Sequence, residues 1–233
     1  MTKITMTKDM SLDKNLFKFF HLIFARESLL RTFQKIKCSS LILHGLSLEF
    51  GAVKKKENNF SNFFKGSSIF EHSNKVHDKS FNIFKSDLTK KLKIKSNKYN
   101  NILLFNVLEH LPEYRITLSQ INRILKKKGK IIGSTPFIYQ IHDAPKDYFR
   151  FTREFFEFEL KKQKFKNIKV QYLGNGPLTA CYSLMYPYIR FLPIFSHLVL
   201  LICFMLDNIL QIFIKTDLKE IFPIGIFFNA QKK

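Results

Sequence analysis

Polar side chains gather where the apolar runs of this chain stop. Glu49 and Gly51 close the run 47–50, Glu71 closes 68–71, and Asp87 follows 81–84. Asn106, Leu108, Glu109 and His110 follow the run 102–105, and Thr135, Pro136, His142, Asp147, Tyr148 and Arg150 follow 130–134. A carboxylate at the end of a second strand suits both hydroxyls of a ribose, so Glu71 is a nucleoside cue. His142, Asp147, Tyr148 and Arg150 put four polar groups within nine residues. Each acid taken singly also suits a helix cap or a solvated loop. His142 and Arg150 equally suit a segment pinned across a sheet, and His110 reads as a structural group at a strand end.

The elements that position these residues follow from periodicity. Phe17, Phe20, Ile23, Phe24, Leu29, Leu30 and Phe33 predict a helix over 16–36. The continuous apolar run 102–105 marks a strand covered on both faces. Pro112 reads as a first helical residue, and Leu118, Ile121, Ile124 and Leu125 recur at helical spacing behind it. Lys126 to Lys128 then suit the helix dipole, and Gly129 reads as the helix stop. A strand over 130–134, a helix over 152–162, a strand over 167–172 and a last strand over 224–229 complete the pattern. Strands alternating with helices at these lengths predict an α/β fold, a mostly parallel sheet with helices on both faces. In such sheets ligands bind at the carboxyl ends of the strands, where the strand order reverses.

Of 233 residues, 39 are Lys or Arg against 18 Asp or Glu, a net charge of +21, and 45% are hydrophobic. That apolar share supports a folded core and excludes a disordered chain. Lysines outnumber arginines 32 to 7 and lie in scattered runs, which reads as coding bias and solvated faces more than as a base-reading surface. Nucleic acid is therefore a low-ranking partner. Cys38, Cys181 and Cys203 are odd in number and far apart, giving neither a disulfide framework nor a cysteine-held metal, and no metal ligand set is assigned. They point to a reducing, cytoplasmic setting. Residues 171–214 carry only two charges, Arg190 and Asp207. This segment reads as a buried helical pair covering the sheet, as an oligomer contact, or as a hairpin lying at the inner face of a membrane. A true span ranks last, because its longest uncharged stretch of membrane quality, 191–206, falls short of the ~20 residues a bilayer needs.

The run Ile102-Leu-Leu-Phe-Asn-Val-Leu-Glu-His-Leu-Pro112, then Ile121-Asn-Arg-Ile-Leu-Lys126, then Gly129-Lys-Ile-Ile-Gly-Ser-Thr-Pro-Phe137 resembles class I S-adenosylmethionine-dependent methyltransferases of the type 11-like group. His142-Asp-Ala-Pro-Lys-Asp-Tyr-Phe-Arg-Phe-Thr152 is similar to an H-x-x-P-x-D-Y-x-R-x-T segment in a subset of that group. The resemblance implies a Rossmann-like sheet of seven strands that binds S-adenosylmethionine. Residues 41–172 would form the cofactor-binding core, behind a helical extension at 1–40. The apolar helical segment 173–215 and a closing strand with tail at 216–233 would follow.

Carried over residue by residue, Glu49 and Gly51 approach the methionine half of the cofactor. Glu71 takes the ribose, Asp87 and Leu88 meet the adenine, and Asn106, Leu108 and Glu109 line the cleft floor. His142 or Asp147 would then take a proton from an acceptor hydroxyl that Tyr148 and Arg150 orient. The implied activity is methyl transfer to a small molecule or to a lipid- or polyprenyl-linked saccharide. The family's glycine-rich loop is reduced here to Gly51, with Val53 and Lys55 at the later glycine positions. That departure motivates a second reading, a binding or regulatory protein on a methyltransferase fold.

Overall fold

Apolar runs without helical spacing become the strands of a single sheet. The computed structural model describes residues 27–53, 56–74, 83–142 and 146–233. Its strands are β1 (Gly45–Phe50), β2 (Ser68–Asn74), β3 (Ile83–Lys85), β4 (Tyr99–Phe105), β5 (Leu125–Pro136), β6 (Phe165–Leu173) and β7 (Gly225–Lys232). They lie in the order β3-β2-β1-β4-β5-β7-β6. β1 to β5 pair in parallel, and β7 runs antiparallel between β5 and β6. This is the expected mostly parallel α/β sheet of the Rossmann-like methyltransferase fold.

Alternation along β4 divides the interior into two layers. Ile102 and Leu104 pack on one face with Leu118, Ile121 and Ile124 of helix α2 (Tyr114–Ile124) and Phe156 and Leu160 of helix α3 (Arg153–Lys162). Helix α1 (Leu29–Ser39) lies on the other face, where Leu103 and Phe105 share a layer with Leu29, Leu30 and Cys38. That second layer is completed by α4 (Pro177–Ile189) and α5 (Pro193–Phe213), and a short helix α6 (Leu218–Ile221) precedes β7.

Several boundaries differ from the sequence expectation. Of the helix predicted over 16–36, residues 16–26 lie outside the described residues, as do 81–82 of the third strand. The helix α1 begins after Ser28, whose hydroxyl accepts from Arg31 N at 3.4 Å. β2 continues three residues past Glu71, because His72, Ser73 and Asn74 pair with Ile83, Phe84 and Lys85 of β3. The α2 helix starts at Tyr114, leaving Pro112 in the preceding turn, and stops at Ile124. The lysines 126–128 and Gly129 thus belong to β5 instead of a helix end, and Lys128 takes the left-handed φ of +62°. Between β1 and β2 stand two short 3-10 turns, Lys56–Asn58 and Phe60–Phe63, where a longer α-helix would complete a βαβ unit.

The helical pair at 177–213 is only half buried. Thr179, Ala180, Tyr182 and Ser183 of α4 face inward, whereas in α5 only Ser196, Leu200 and Asp207 are buried. Asp207 accepts hydrogen bonds from Leu178 N at 3.0 Å and Thr179 N at 2.8 Å, so α5 caps the first turn of α4. Tyr182 and Ser196 add a hydroxyl pair at 2.8 Å. Asp207→Ala leaves those amides unsatisfied inside the pair, and urea denaturation is expected to show a loss of about 2 kcal/mol.

Candidate functional site

The chain leaves β1 toward β2 on one side and takes up β4 on the other, so the strand order reverses between β1 and β4. The crevice at their carboxyl ends is where a ligand of this fold sits. Gly51 turns the chain there with φ +75°, and a Cβ on it would lie 2.7 Å from Val107 Cγ2. Both facts require glycine. The next residues are held by side chains. Asn59 accepts from Val53 N at 2.8 Å, Asn59 Nδ2 donates to Val53 O at 3.3 Å, and Asn74 Nδ2 donates to Ala52 O at 2.7 Å. Glu49 points into the protein. Its carboxylate accepts from Phe60 N at 2.8 Å and Ser61 N at 3.0 Å, fixing the second 3-10 turn behind the strand end.

Glu71 is not at this edge. It stands mid-strand opposite Leu48, and its carboxylate reaches the start of β4, where Lys98 Nζ donates at 2.8 and 3.0 Å and the Tyr99 hydroxyl also donates. Burial alone would raise its pKa, but the hydrogen bonds from Lys98 and Tyr99 outweigh that and lower it. Burial, with Glu71 beside it, pushes the Tyr99 phenol up to about 12. The residue at the carboxyl end of β2 is Asn74. It was missed because His72-Ser-Asn74 reads as loop, although equal lengths for paired strands would have extended β2. Asp87 and Leu88 do lie at this edge: Ser86 N donates to Asn74 O at 2.9 Å, Asp87 caps Thr89 N at 3.0 Å, and Leu88 packs in the same core cluster as Phe50.

At the end of β4, Asn106 adopts φ +52°, a conformation its short polar side chain tolerates. Its amide pairs with that of Gln34 from α1, at 2.7 and 3.2 Å, and Gln34 also donates to Ser134 Oγ at 3.1 Å. Gln34 was the missed member of this set. The signal lay in Leu30, Gln34 and Cys38, four residues apart on the buried stripe of α1. Leu108 is buried beneath the turn that follows.

That turn (Leu108–His110) carries the densest polar cluster. Glu109 is fully buried, and neither of its carboxylate oxygens meets a hydrogen-bond partner among the described residues. Burial pushes its carboxyl up to about 8, only partly offset by its own backbone N–H, so in this environment it holds a proton at pH 7. His110 Nε2 lies 3.9 Å from Glu109 Oε1, while His110 Nδ1 is 2.7 Å from Lys146 O. The rings of His110 and His142 meet edge to face at 4.9 Å.

Asp147 organises the opposite wall. Arg150 grips it through two bonds of 2.5 and 2.7 Å, and His142 presents its backbone N at 3.1 Å and its Nδ1 at 3.2 Å. The Arg150 guanidinium holds the Asp147 carboxyl down at about 2, and the carboxylate is occupied in orienting Arg150 and His142. Tyr148 N donates to Glu109 O at 2.8 Å, tying the two segments, and its side chain is exposed. The structure thus joins His142, Asp147 and Arg150 to Glu109 and His110, and leaves Glu71 apart.

Solved structures with this topology define the class. A SAM-dependent methyltransferase from Archaeoglobus fulgidus matches with a TM-score of 0.55 and 14% identity, over 91% of this chain and 100% of that one. A SAM-dependent methyltransferase from Thermotoga maritima matches at 0.53 and 13%, over 95% and 98%. Phosphoethanolamine N-methyltransferase 2 of Haemonchus contortus, solved with phosphomonomethylethanolamine and S-adenosylhomocysteine, matches at 0.52 and 15%, over 85% of this chain and 52% of that one. At these identities the likeness is one of fold, the class I methyltransferase fold. No curated protein matches the sequence. The methyltransferase domain family model matches residues 38–168, more than half of the chain, and the chain belongs to that family.

Gly51→Ala forces a Cβ into a left-handed turn against Val107. It is expected to cost about 1–2 kcal/mol in denaturant unfolding.

Proposed function

We propose that this protein transfers a methyl group from S-adenosylmethionine to an acceptor that it meets at a lipid surface, a small molecule or a lipid- or polyprenyl-linked saccharide. The observation that carries the methyl-transfer reading is the convergence of Gly51, Asn74, Asp87 and Asn106 on one strand-end edge, in a chain of the methyltransferase family. The residues fit a nucleoside. Gly51 lets the backbone approach closely, Asp87 supplies a carboxylate beyond β3, and Leu88 offers an apolar face. When bound, the sulfonium supplies an electrophilic methyl and its own leaving group. The chain then needs chiefly to align an acceptor and exclude water. The Glu109, His110 and His142 cluster, immediately beyond the end of β4, is where the acceptor group would enter and lose its proton.

The surface of α5 supports the lipid part. It is 21 residues long and apolar enough by length and composition to cross a membrane, yet only 17% of that stretch is buried. Ile194, Leu198, Leu201, Ile202, Met205 and Ile209 are exposed. α4 and α5 follow β6, whose carboxyl end lies on the same edge as that of β5, and Tyr139, which packs against their apolar layer, meets the His142 ring at 5.4 Å. A broad apolar face of this kind suits a bilayer surface.

One observation favours the second reading, a binding protein without turnover. The backbone N–H and C=O of Val53, which follow Gly51, are both taken by Asn59. Titration calorimetry with S-adenosylmethionine and S-adenosylhomocysteine separates the two. The enzyme reading expects micromolar binding of both ligands, lost in Asp87→Ala and kept within about twofold in Glu71→Ala, with measurable turnover once an acceptor is supplied. A folded protein that binds neither ligand sinks the methyltransferase reading. In parallel, co-sedimentation with vesicles containing phosphatidylglycerol is expected, and the double variant Ile202→Glu, Met205→Glu is expected to stay soluble while binding S-adenosylhomocysteine normally.

A further inference from the structure

A fully buried carboxyl group with no hydrogen-bond partner on either oxygen is an incomplete arrangement. Glu109 is in that state at the mouth of the site, and it is not alone there. One ligand atom from each of Glu109, His110 and His142 lies within 4.8 Å of the other two. From this geometry we infer that Glu109, His110 and His142 form a binding site for a single divalent first-row transition-metal ion.

The surroundings of the two imidazoles support the assignment independently of the carboxylate. Metal-bound histidines characteristically direct the second ring nitrogen to a carbonyl or carboxylate, which fixes the ring and its tautomer. His110 Nδ1 sits 2.7 Å from Lys146 O, and His142 Nδ1 sits 3.2 Å from Asp147 Oδ2. Both rings therefore keep Nε2 for another partner, and His110 Nε2 already faces Glu109 Oε1. Asp147 is itself held by Arg150, so the support of His142 is rigid.

Two imidazoles and one carboxylate match ions of intermediate softness such as zinc, cobalt(II) or iron(II), more than magnesium or calcium, which prefer all-oxygen sets. Bonds of about 2.1 Å place tetrahedral ligand atoms about 3.4 Å apart, so the three groups close in by roughly an ångström on binding. Three protein ligands leave coordination positions for water or for an oxygen of the acceptor. That role for the ion rests on the methyltransferase reading, whereas the ligand set does not. An ion there also accounts for Glu109, because binding displaces its proton and gives the resulting carboxylate a positive partner.

The test is a cobalt(II) titration of untagged, chelator-treated protein, followed by visible absorption and by displacement with zinc. One cobalt(II) per chain is expected, displaced by one zinc, with affinity reduced about tenfold or more in His142→Ala and in Glu109→Gln. His142 is partly exposed and its variant is the one expected to keep the fold, checked by circular dichroism. The absence of saturable uptake by the wild-type protein overturns the site. So does uptake unchanged in His142→Ala, which would mean an adventitious ion only. S-adenosylhomocysteine binding, measured by calorimetry without metal, keeps the two readings separate: cofactor binding without cobalt uptake overturns the metal site alone, and cobalt uptake without cofactor binding overturns the methyltransferase reading alone.

Discussion

Burial of β4 on both faces is the constraint on which the rest of the molecule depends. Ile102, Leu103 and Leu104 have no exposed surface, and their side chains divide between two apolar layers. A polar side chain within a strand in that position needs partners inside the protein, as Asn101 finds in His44 O at 3.0 Å and Ser47 Oγ at 2.9 Å, and is not free for a ligand. Chemistry is displaced to the strand's end, and there Asn106, Glu109 and His110 follow within five residues of Phe105. The same burial requires a partner for Asn106 on the α1 side of the sheet, which is why a glutamine interrupts the apolar stripe of α1.

The connection from β1 to β2 shows how the site edge is maintained with little helix behind it. A full α-helix after β1 would present its free N–H groups to a bound anion. Here Glu49 takes two amides of the short turn instead, and Arg31 of α1 lies over the Phe60 ring at 4.5 Å. Sheet, turn and α1 become one unit. What this edge presents is therefore individual side chains, Asn74 and Asp87 among them, and not a helix terminus.

Much of this was legible in the sequence, for identifiable reasons. The order of strands and helices could be read because β4, α2 and β5 have strong, distinct periodicities. Gly51, Asp87 and Asn106 could be placed because strand ends of this fold class converge. Glu71 was misplaced by a polar strand ending. His72, Ser73 and Asn74 pair with β3 at the sheet's margin, where burial does not demand apolar residues. Gly129 misled in a similar way, since β5 begins directly after α2 and the left-handed residue is Lys128. The cluster at Glu109 and His142 was hidden for another reason. Its members come from two loops, brought into register by the hydrogen bonds from Tyr148 N to Glu109 O and between His110 Nδ1 and Lys146 O.

Asp207 has a consequence beyond the stability of the helix pair. The only acidic residue of α5 is turned inward to cap α4, so its outward surface carries no charge at all. Such a surface has few directional contacts to offer, chiefly the exposed amide of Asn208. Contact with it is therefore gained by area and not by pairing, and small rotations of a partner about the contact normal cost little.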